Sequence, residues 1–319
     1  MRILVTGGCG YVGSVLVPRL LSEGHNVLVV DDQWFGNFLP THSELVIRKK
    51  SINEIDEADI SGIEAVIHLA NVANDPSVEL NPTFSWEVNV LHTTQFLELC
   101  KRSKSVKKFM FASSGSVYGV KSEPNVTEEL SLVPISTYNK TKMSAERVCL
   151  SYAEYFDVIC VRPATVCGVS PRMRFDVVVN MFVLQAFTKS KITVLGGEQV
   201  RPNIHIDDMA SVYTHFLGKN GLGSGIYNAG FENISVMDIA KMVQEVFKIE
   251  IEVKPSNDPR SYRQDSTKLL ESGFVRKKSV SDAISEIASK LKNGDIKDDD
   301  RWHTVKWMTS QKIGLLWKL

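Results

Sequence analysis

Short apolar runs alternate with longer amphipathic stretches through the first half of the chain. Five runs rich in β-branched residues predict buried strands, at residues 2–6, 27–30, 65–69, 108–112 and 158–161. Three stretches with helical spacing of apolar positions predict helices, at residues 12–22, 85–101 and 137–156. Strands and helices that alternate in this order predict an α/β fold of Rossmann type, which is a doubly wound parallel sheet with helices on both faces.

The alternation breaks down after about residue 163, where loops rich in Pro, Gly and Arg become frequent. The elements predicted beyond that point are helices at 176–188 and 236–247 and short strands at 191–195 and 250–253. We therefore expect two domains, a Rossmann domain at residues 1–165 and a smaller C-terminal α/β lobe at 166–319. The lobe is expected to close over the sheet, and some of its segments are expected to return to the first domain.

Charge and composition exclude several classes of partner. The 319 residues include 37 basic and 37 acidic ones, so no net field favours nucleic acid or a membrane surface. No run approaches the roughly 20 apolar residues that a membrane helix needs. We expect neither nucleic acid nor membrane as a partner.

Cysteine and histidine positions do not suggest a metal site. The five cysteines are odd in number and never spaced C-x-x-C, which favours reduced thiols in a cytoplasmic protein over a disulfide framework or zinc site. His205, Asp207 and Asp208 are close in sequence, but a turn and a helix N-cap formed by the aspartates explain them better than a metal cluster. No metal is therefore expected.

A glycine motif follows the first predicted strand and opens the first predicted helix. Gly8, Gly10 and Gly13 form G-x-G-x-x-G, in which glycines permit a tight turn and let the backbone approach a pyrophosphate at the helix N-terminus. Asp31 and Asp32 end the second strand about twenty residues later, where a carboxylate binds ribose hydroxyls and repels a 2′-phosphate. The pattern predicts a dinucleotide site for NAD rather than NADP; the alternative is a turn that only packs a helix on a sheet.

The candidate chemistry centres on Tyr138 and Lys142, which stand four residues apart at the start of a predicted helix and so share one face. A neighbouring ammonium and the positive nicotinamide ring of oxidised NAD favour tyrosinate, so we expect Lys142 and the cofactor to lower the pKa of Tyr138 and let it take a proton from a sugar hydroxyl. Ser114 follows the strand at 108–112, at the sheet edge where ligands bind, and can hydrogen-bond the reacting oxygen. These three residues are the predicted catalytic set.

Together these motifs resemble the extended short-chain dehydrogenase/reductase family, in its nucleotide-sugar epimerase and dehydratase branch, over nearly the whole chain. The resemblance implies NAD as cofactor, a nucleoside-diphosphate sugar as substrate and a substrate-binding role for the C-terminal lobe. The implied cofactor residues are Gly7, Gly10, Tyr11, Val12, Gly13, Asp31, Asp32, Ser51, Ile52, Leu69, Ala70, Asn71, Tyr138, Lys142 and Pro163. It also implies a homodimer, because helices 85–101 and 137–156 match those of the family's four-helix interface.

Substrate contacts are implied in the same way. The arginines of two segments in the second half resemble those that hold the nucleotide and its diphosphate, consistent with bidentate binding of phosphate by guanidinium. The implied substrate residues are Ser114, Ser116, Thr165, Asn180, Arg201, Arg260 and Tyr262.

Three positions depart from the family pattern. Gly115 and Ser116 stand where the 4,6-dehydratases of the branch carry Asp-Glu, so elimination of water is not expected. Ser51 replaces the adenine-binding Asp, and Thr165 stands near a position that often holds Asn, so those two contacts are expected to differ.

The residues are compatible with more than one outcome of the same oxidation. If a 4-keto sugar stays bound, rotates in the site and is reduced on its other face, the enzyme is a C4 epimerase. We rank this hypothesis first. If the product leaves, the enzyme is a dehydrogenase or, in reverse, a ketoreductase. A non-catalytic Rossmann nucleotide sensor is the third hypothesis, and the Ser114, Tyr138 and Lys142 set argues against it.

Overall fold

The computed structural model describes residues 1–219, 221–256 and 261–314. The strands in these residues are β1 (Arg2–Thr6), β2 (Asn26–Asp31), β3 (Leu45–Lys49), β4 (Ala65–His68), β5 (Lys108–Ala112), β6 (Asp157–Pro163), β7 (Thr165–Cys167), β8 (Lys191–Leu195), β9 (Val200–His205), β10 (Gly225–Ala229), β11 (Glu232–Ser235) and β12 (Glu250–Lys254). No helix in the described part of the chain is both long and apolar enough to cross a membrane.

The α-helices of the described residues alternate with these strands. They are α1 (Gly13–Ser22), α2 (Glu57–Ile60), α3 (Asp75–Val78), α4 (Pro82–Trp86), α5 (Thr93–Ser103), α6 (Thr137–Leu150), α7 (Val178–Lys189), α8 (Ile206–Gly218), α9 (Val236–Phe247), α10 (Thr267–Glu271), α11 (Val280–Lys292) and α12 (Thr304–Ser310). Short 3-10 turns span Ile52–Glu54, Gly115–Tyr118 and Asp300–Trp302, and a π-helical turn at Glu87–His92 joins α4 to α5.

Seven strands form one sheet in the order β3-β2-β1-β4-β5-β6-β10, and every neighbouring pair is parallel. Thr6 lies opposite both Val30 and His68, so the carboxyl ends of β1, β2 and β4 meet at one edge. The strand order reverses on either side of β1, and ligands bind at such a switch point in open α/β sheets. The predicted Rossmann-type doubly wound fold is confirmed.

Apolar side chains fill both faces of this sheet. On one face α1 and α8 pack over the strands, with Leu16 and Phe216 among the buried residues; on the other, α5 and α6 do so, with Phe96 and Cys149. A third cluster joins α7, α9 and α11 in the smaller lobe, whose strands form a three-stranded sheet β11-β9-β7 and a two-stranded sheet β12-β8.

The structure differs from the sequence-based elements mainly beyond residue 163. Strand β10 joins the large sheet beside β6, and α8 packs against α1, so two segments of the second half pack with elements of the first half. Three further strands, β7, β9 and β11, were not predicted, because they are short and do not alternate regularly. Strand β3 was also missed; it is a short edge strand of three apolar and two basic residues, none of which is fully buried.

Candidate active site

A cavity of about 860 Å³ opens at the carboxyl edge of the large sheet, between the sheet and the smaller lobe. Most of the residues singled out in the sequence line it, although they come from distant parts of the chain. Those residues are Gly7, Gly10, Tyr11, Val12, Gly13, Asp31, Asp32, Ile52, Leu69, Ala70, Asn71, Ser114, Ser116, Tyr138, Lys142, Pro163, Thr165, Arg201 and Tyr262.

The glycine turn needs its glycines for close backbone approach. Gly7 has φ +71°, and a Cβ there would lie 2.6 Å from the backbone nitrogen of Ala70. A Cβ on Gly13 would lie 2.5 Å from the carbonyl oxygen of Gly8. The turn therefore leaves a cradle with no side chains over the N-terminus of α1, and this fits the pyrophosphate of a dinucleotide.

Asp31 lies beside this cradle at the end of β2. Its carboxylate accepts hydrogen bonds from the backbone N–H of Cys9 (2.9 Å) and of Gln33 (2.6 Å). Burial raises its pKa, whereas these hydrogen bonds and the charge of Arg172 act in the opposite direction. Burial and the charge of Asp31 likewise raise the pKa of Asp32, to about 6. The position agrees with the predicted contact to ribose hydroxyls.

Ser51 does not take the place predicted for it. Ile52 lines the cavity, but Ser51 begins the 3-10 turn behind it, where its backbone N–H donates to Glu54 Oε2 at 2.7 Å. The Ser51 side chain hydrogen-bonds Asp32 instead of facing the cavity. Its role in this structure is to fix a turn and a carboxylate at the rim of the cofactor site.

The predicted catalytic residues converge on the sheet edge. Ser114 Oγ lies 2.8 Å from Ser116 Oγ and hydrogen-bonds the hydroxyl of Tyr138. Lys142 Nζ, one turn further along α6, donates to the carbonyl oxygen of Ala112 at 2.6 Å. Two segments that are separated in sequence, the end of β5 with the turn that follows it and the start of α6, thus meet at one point.

The pKa of Tyr138 differs from the expectation. Burial raises it to about 12, and the hydrogen bond from Ser114 and the charge of Arg174 only partly offset that effect. Burial also lowers the pKa of Lys142 to about 7. In the protein without cofactor, desolvation dominates the pKa of both groups, and the cation that favours the Tyr138 phenolate is Arg174.

Asn180 does not line the cavity, contrary to the prediction that it contacts the substrate. It is fully buried, and its Nδ2 donates to the Tyr11 hydroxyl (2.9 Å) and to the carbonyl oxygen of Arg174 (2.8 Å). Its Oδ1 accepts from the backbone N–H of Gly168 at 3.1 Å. Because its amide makes these hydrogen bonds inside the protein, Asn180 holds the segment around Arg174 in place on the side away from the cavity.

Three other predicted substrate residues, all from the second half of the chain, do line the cavity. Arg201, on β9, and Tyr262 line the cavity on the side of the smaller lobe, and Thr165, which begins β7, lines it near Pro163. Arg260 lies outside the described residues.

Two buried hydrogen-bond networks lie behind the cavity and connect the elements that form it. His68 bonds the hydroxyls of Thr6 (2.6 Å) and Thr93 (3.0 Å) and is 1% exposed, so it packs between β1, β4 and α5. Asn89 bonds both backbone groups of Val72, at 2.9 and 3.2 Å. Neither residue lines the cavity.

His205 and its acidic neighbours also have a structural explanation. His205 Nδ1 accepts from the backbone N–H of Asp207 at 3.1 Å and so caps α8, a task that the sequence analysis gave to the aspartates. Its Nε2 is 3.1 Å from Glu286 Oε2, and Lys278 pairs with the other oxygen of Glu286. Helix capping and ion pairing account for this cluster.

Sequence reasoning missed Arg172, Arg174 and Asp176 in the cavity wall. Arg172 is 3% exposed, its guanidinium lies 3.9 Å from the ring centroid of Phe35, and its Nε has no hydrogen-bond partner among the described residues. Arg174 pairs with Asp176 through contacts of 2.9 and 3.2 Å. They lie in a loop with no motif signal, and only the fold brings them to the cofactor site.

Gly115 has a packing reason as well as a chemical consequence. A Cβ at this position would lie 3.1 Å from Gln264 Oε1 and 3.2 Å from the carbonyl oxygen of Pro163. Gln264 is 2% exposed and donates to the carbonyl oxygen of Arg162 at 2.7 Å. The space that an acidic side chain at residue 115 would need is therefore occupied.

Comparisons with known proteins agree with this site. A model of the NAD dependent epimerase/dehydratase family matches residues 3–230. The UDP-glucose epimerase YtcB of Bacillus subtilis (strain 168), described as uncharacterized, is 30% identical over 282 residues, which cover 81% of this chain and 88% of that protein. UDP-glucuronic acid decarboxylase 4 of Arabidopsis thaliana is 31% identical over 292 residues, covering 85% of this chain and 64% of that protein.

A structural relative has the same architecture. The crystal structure of UDP-glucose 4-epimerase from Thermotoga maritima with UDP-glucose matches with a TM-score of 0.83 and 27% identity, covering 93% of this chain and 100% of that one. Fold and site thus define a Rossmann-type nucleotide-sugar enzyme. The chain belongs to the NAD-dependent epimerase/dehydratase family. The predictions of an enzyme and of NAD as the family's cofactor are confirmed.

Proposed function

We propose that this chain is an NAD-dependent nucleotide-sugar 4-epimerase that works through a keto-sugar intermediate. The observation that carries the proposal is the convergence of Ser114, Tyr138 and Lys142 at the sheet edge, with Gly115 and Ser116 in place of acidic residues. Ser114, Tyr138 and Lys142 can deprotonate a hydroxyl, and positions 115 and 116 supply no acid for the elimination of water. The similarity to UDP-glucose epimerases supports the same proposal.

Each residue has a separate task in the proposed reaction. Tyr138 takes the proton of the sugar hydroxyl and later returns one to the same oxygen, while Ser114 holds that oxygen by a hydrogen bond. In this proposal Lys142 binds the ribose on the nicotinamide side of NAD, and Asp31 binds the adenosine ribose. Bound NAD would supply the chemistry of accepting a hydride from C4 and giving it back.

The shape of the cavity favours retention of the intermediate. The cofactor-binding edge and the wall from the smaller lobe, which includes Arg201 and Tyr262, belong to one continuous cavity. A nucleoside diphosphate held on that wall would keep the sugar tethered while the ring turns to present its other face. Return of hydrogen to that face inverts C4.

Incubation with UDP-, GDP-, dTDP- and CDP-sugars tests the proposal, with product identity read by NMR and reduced cofactor by absorbance. We expect inversion at C4 of one sugar with no net NADH. Stoichiometric NADH would identify a dehydrogenase, loss of CO2 from a uronic acid a decarboxylase, and NAD binding without any turnover a sensor. Each of these three results would overturn the proposal.

A matched pair of tyrosine variants tests the assignment of the base. Tyr138→Phe is expected to reduce kcat by about 10²- to 10⁴-fold, since that is the usual contribution of a general base, with little change in NAD affinity. Tyr155→Phe, at a tyrosine that is 45% exposed and does not line the cavity, is expected to keep full activity. Turnover that survives in Tyr138→Phe would contradict the mechanism.

A further inference from the structure

The last described part of the chain, residues 299–314, forms one wall of the cavity. It consists of a 3-10 turn followed by helix α12, and we call it the C-terminal strap. Thr304, Val305 and Met308, on one face of α12, line the cavity. The strap lies outside residues 3–230, the part that matches the family model, so its place at the site follows from this structure alone.

The strap is attached to the loop after β2. The indole N–H of Trp307 donates to the carbonyl oxygen of Trp34 at 2.6 Å. The ring centroid of Trp302 lies 5.2 Å from that of Phe38 in the same loop. Trp34 lines the cavity and follows closely after Asp31, the carboxylate that is predicted to bind a ribose. The strap therefore holds the loop beside the predicted adenosine end of the cofactor site.

The strap is also attached to the segments that follow β4 and β7. The carbonyl oxygen of Gly314 accepts from Asn81 Nδ2 at 2.6 Å, and α12 packs against α3, the helix after β4. The carbonyl oxygen of Trp302 accepts from the backbone N–H of Phe175 at 2.8 Å. The strap thus crosses from the carboxyl ends of β2 and β4, where a dinucleotide binds in this fold, to a loop of the smaller lobe.

Little buried surface keeps α12 in this position. Of its seven residues, only Thr304 and Met308 are buried. Met308 is 2% exposed and packs in the apolar cluster that includes Val72 and Val78 after β4. A short helix with few buried side chains can detach at a far lower cost in free energy than global unfolding. The wall that α12 forms is therefore one that can open while the rest of the molecule stays folded.

We propose that the C-terminal strap retains NAD in its site, so that release of the cofactor requires α12 to detach. Trp307 is the positioning residue, since it fixes the strap on Trp34, and Val305 and Met308 supply the wall. The inference rests on the proposed function in one respect. A hydride taken from the sugar in the first half of the reaction can return to that sugar only if the same cofactor molecule stays bound.

The rate of cofactor dissociation tests the inference without any sugar. Trp307→Ala removes the hydrogen bond to Trp34 and the apolar surface of the indole. We therefore expect the dissociation rate constant of NADH to rise about 10- to 100-fold, measured as the change of NADH fluorescence on displacement by excess NAD.

Two variants serve as controls for this rate. Lys306→Ala is matched to it, because Lys306 is also on α12 but its side chain is 65% exposed and does not line the cavity. Val243→Ala lowers stability in the core of the smaller lobe, where Val243 is fully buried. Both are expected to keep the wild-type rate. A wild-type rate in Trp307→Ala, or an equal rise in either control, would overturn the inference.

Rescue by added cofactor separates retention from a structural defect. With a sugar that is turned over, Trp307→Ala should lose activity on dilution and regain it when NAD is added, whereas wild type should keep its activity without added NAD. Activity that NAD does not restore would count against the strap as a retaining element. If no nucleotide sugar is turned over, the proposed function fails, and the dissociation rate still decides the role of the strap.

Hydrogen exchange tests the same coupling in the unaltered chain. If NAD leaves only when α12 detaches, then bound NAD must suppress that detachment. We expect the amides of α12 to exchange more slowly by about tenfold or more at saturating NAD. Helix α10 is the internal control, because it is also short, has one buried residue and does not line the cavity. Equal exchange of α12 with and without NAD would contradict the proposal.

Discussion

Arg172 and Arg174 bring positive charge into a part of the cavity where the sequence predicted the carboxylates Asp31 and Asp32. Both arginines line the cavity, but their surroundings differ. Arg174 is paired with Asp176, whereas burial and the charge of Arg174 lower the pKa of Arg172 to about 9. Because the protein compensates the charge of the Arg172 guanidinium only weakly, Arg172 favours the binding of an anionic or hydroxyl group of a ligand beside Asp31.

The charge of Arg172 is expected to contribute to the affinity for NAD. Arg172→Met keeps much of the apolar contact with Phe35 and removes the charge, so the Kd for NAD is expected to rise about 10- to 100-fold. Isothermal titration calorimetry measures it. Arg276→Met, at a partly exposed arginine paired with Glu232, is the control and should leave the Kd unchanged. A Kd within twofold of wild type in Arg172→Met would contradict the prediction.

At the scale of elements, α6 is fastened to the sheet through buried polar groups as well as through apolar packing. Glu146, one turn after Lys142, binds Arg162 of β6 at 2.6 and 3.0 Å and accepts from the Ser113 hydroxyl at 2.6 Å. Glu146 is 1% exposed and Arg162 2% exposed. The ion pair therefore fixes the position of α6, with Tyr138 and Lys142, relative to the end of β5 that precedes Ser114.

Removing one partner of this pair is expected to be costly. Arg162→Met should lower the free energy of unfolding by about 3–5 kcal/mol, because it leaves the Glu146 carboxylate buried without its cation. Urea denaturation measures the change. The double variant Glu146→Met, Arg162→Met should lose less than the sum of the two single variants. Additive losses would mean that the two side chains do not act as a pair.

His68 couples β4 to β1 and α5, and its surroundings predict a dependence on pH. Burial lowers its pKa from 6.5 in the unfolded chain to about 3. The unfolded state therefore binds the proton first, so the stability contributed by neutral His68 is complete above pH 6.5 and is lost as the pH falls toward 3.

Between pH 7.5 and pH 5 this effect should amount to about 2 kcal/mol in the free energy of unfolding. The measurement is urea denaturation at both pH values, for wild type and for His68→Gln. The glutamine retains polar atoms for Thr6 and Thr93 but does not titrate. The variant should lack this part of the pH dependence, and an unchanged difference would assign it to other groups.

At the scale of the whole molecule, the face formed by α4, α5 and α6 remains open. Trp86 is 36% exposed and Leu91 56% exposed on the segment that the family resemblance matches to a dimer interface. Exposed apolar side chains on neighbouring turns are typical of surfaces that bind another protein. They support the proposal of a homodimer.

Multi-angle light scattering tests this proposal. The wild-type chain is expected to have twice the mass of one chain, and Leu91→Lys is expected to shift it toward the monomer, because a charge at the centre of an apolar interface is costly. Leu195→Lys is the matched control, since Leu195 is also 56% exposed but lies on β8 of the smaller lobe. A monomeric wild type, or equal effects of both variants, would contradict the proposal.

Much of the site was predictable because its motifs depend on local geometry. The glycine turn needs only a strand, a tight bend and a helix, and Asp31 follows from the end of the next strand. Tyr138 and Lys142 follow from the spacing of a single helix. Parallel strands bring their carboxyl ends to one edge, so the convergence of these segments with Ser114 also followed from the alternation of elements.

Contacts between distant segments were decided by the tertiary structure alone. Asn74 meets Asp176, and Gln264 fills the space beside Gly115, only because loops from the two lobes pack together. The same packing buries Tyr138 and raises its pKa, although the sequence places Lys142 where it would lower it. Desolvation depends on everything that surrounds a group, and a motif records only the residues next to it in the chain. The sequence by itself therefore determined the fold class, the cofactor of the family and the candidate reacting residues, whereas only the tertiary structure decided how those residues are charged and held.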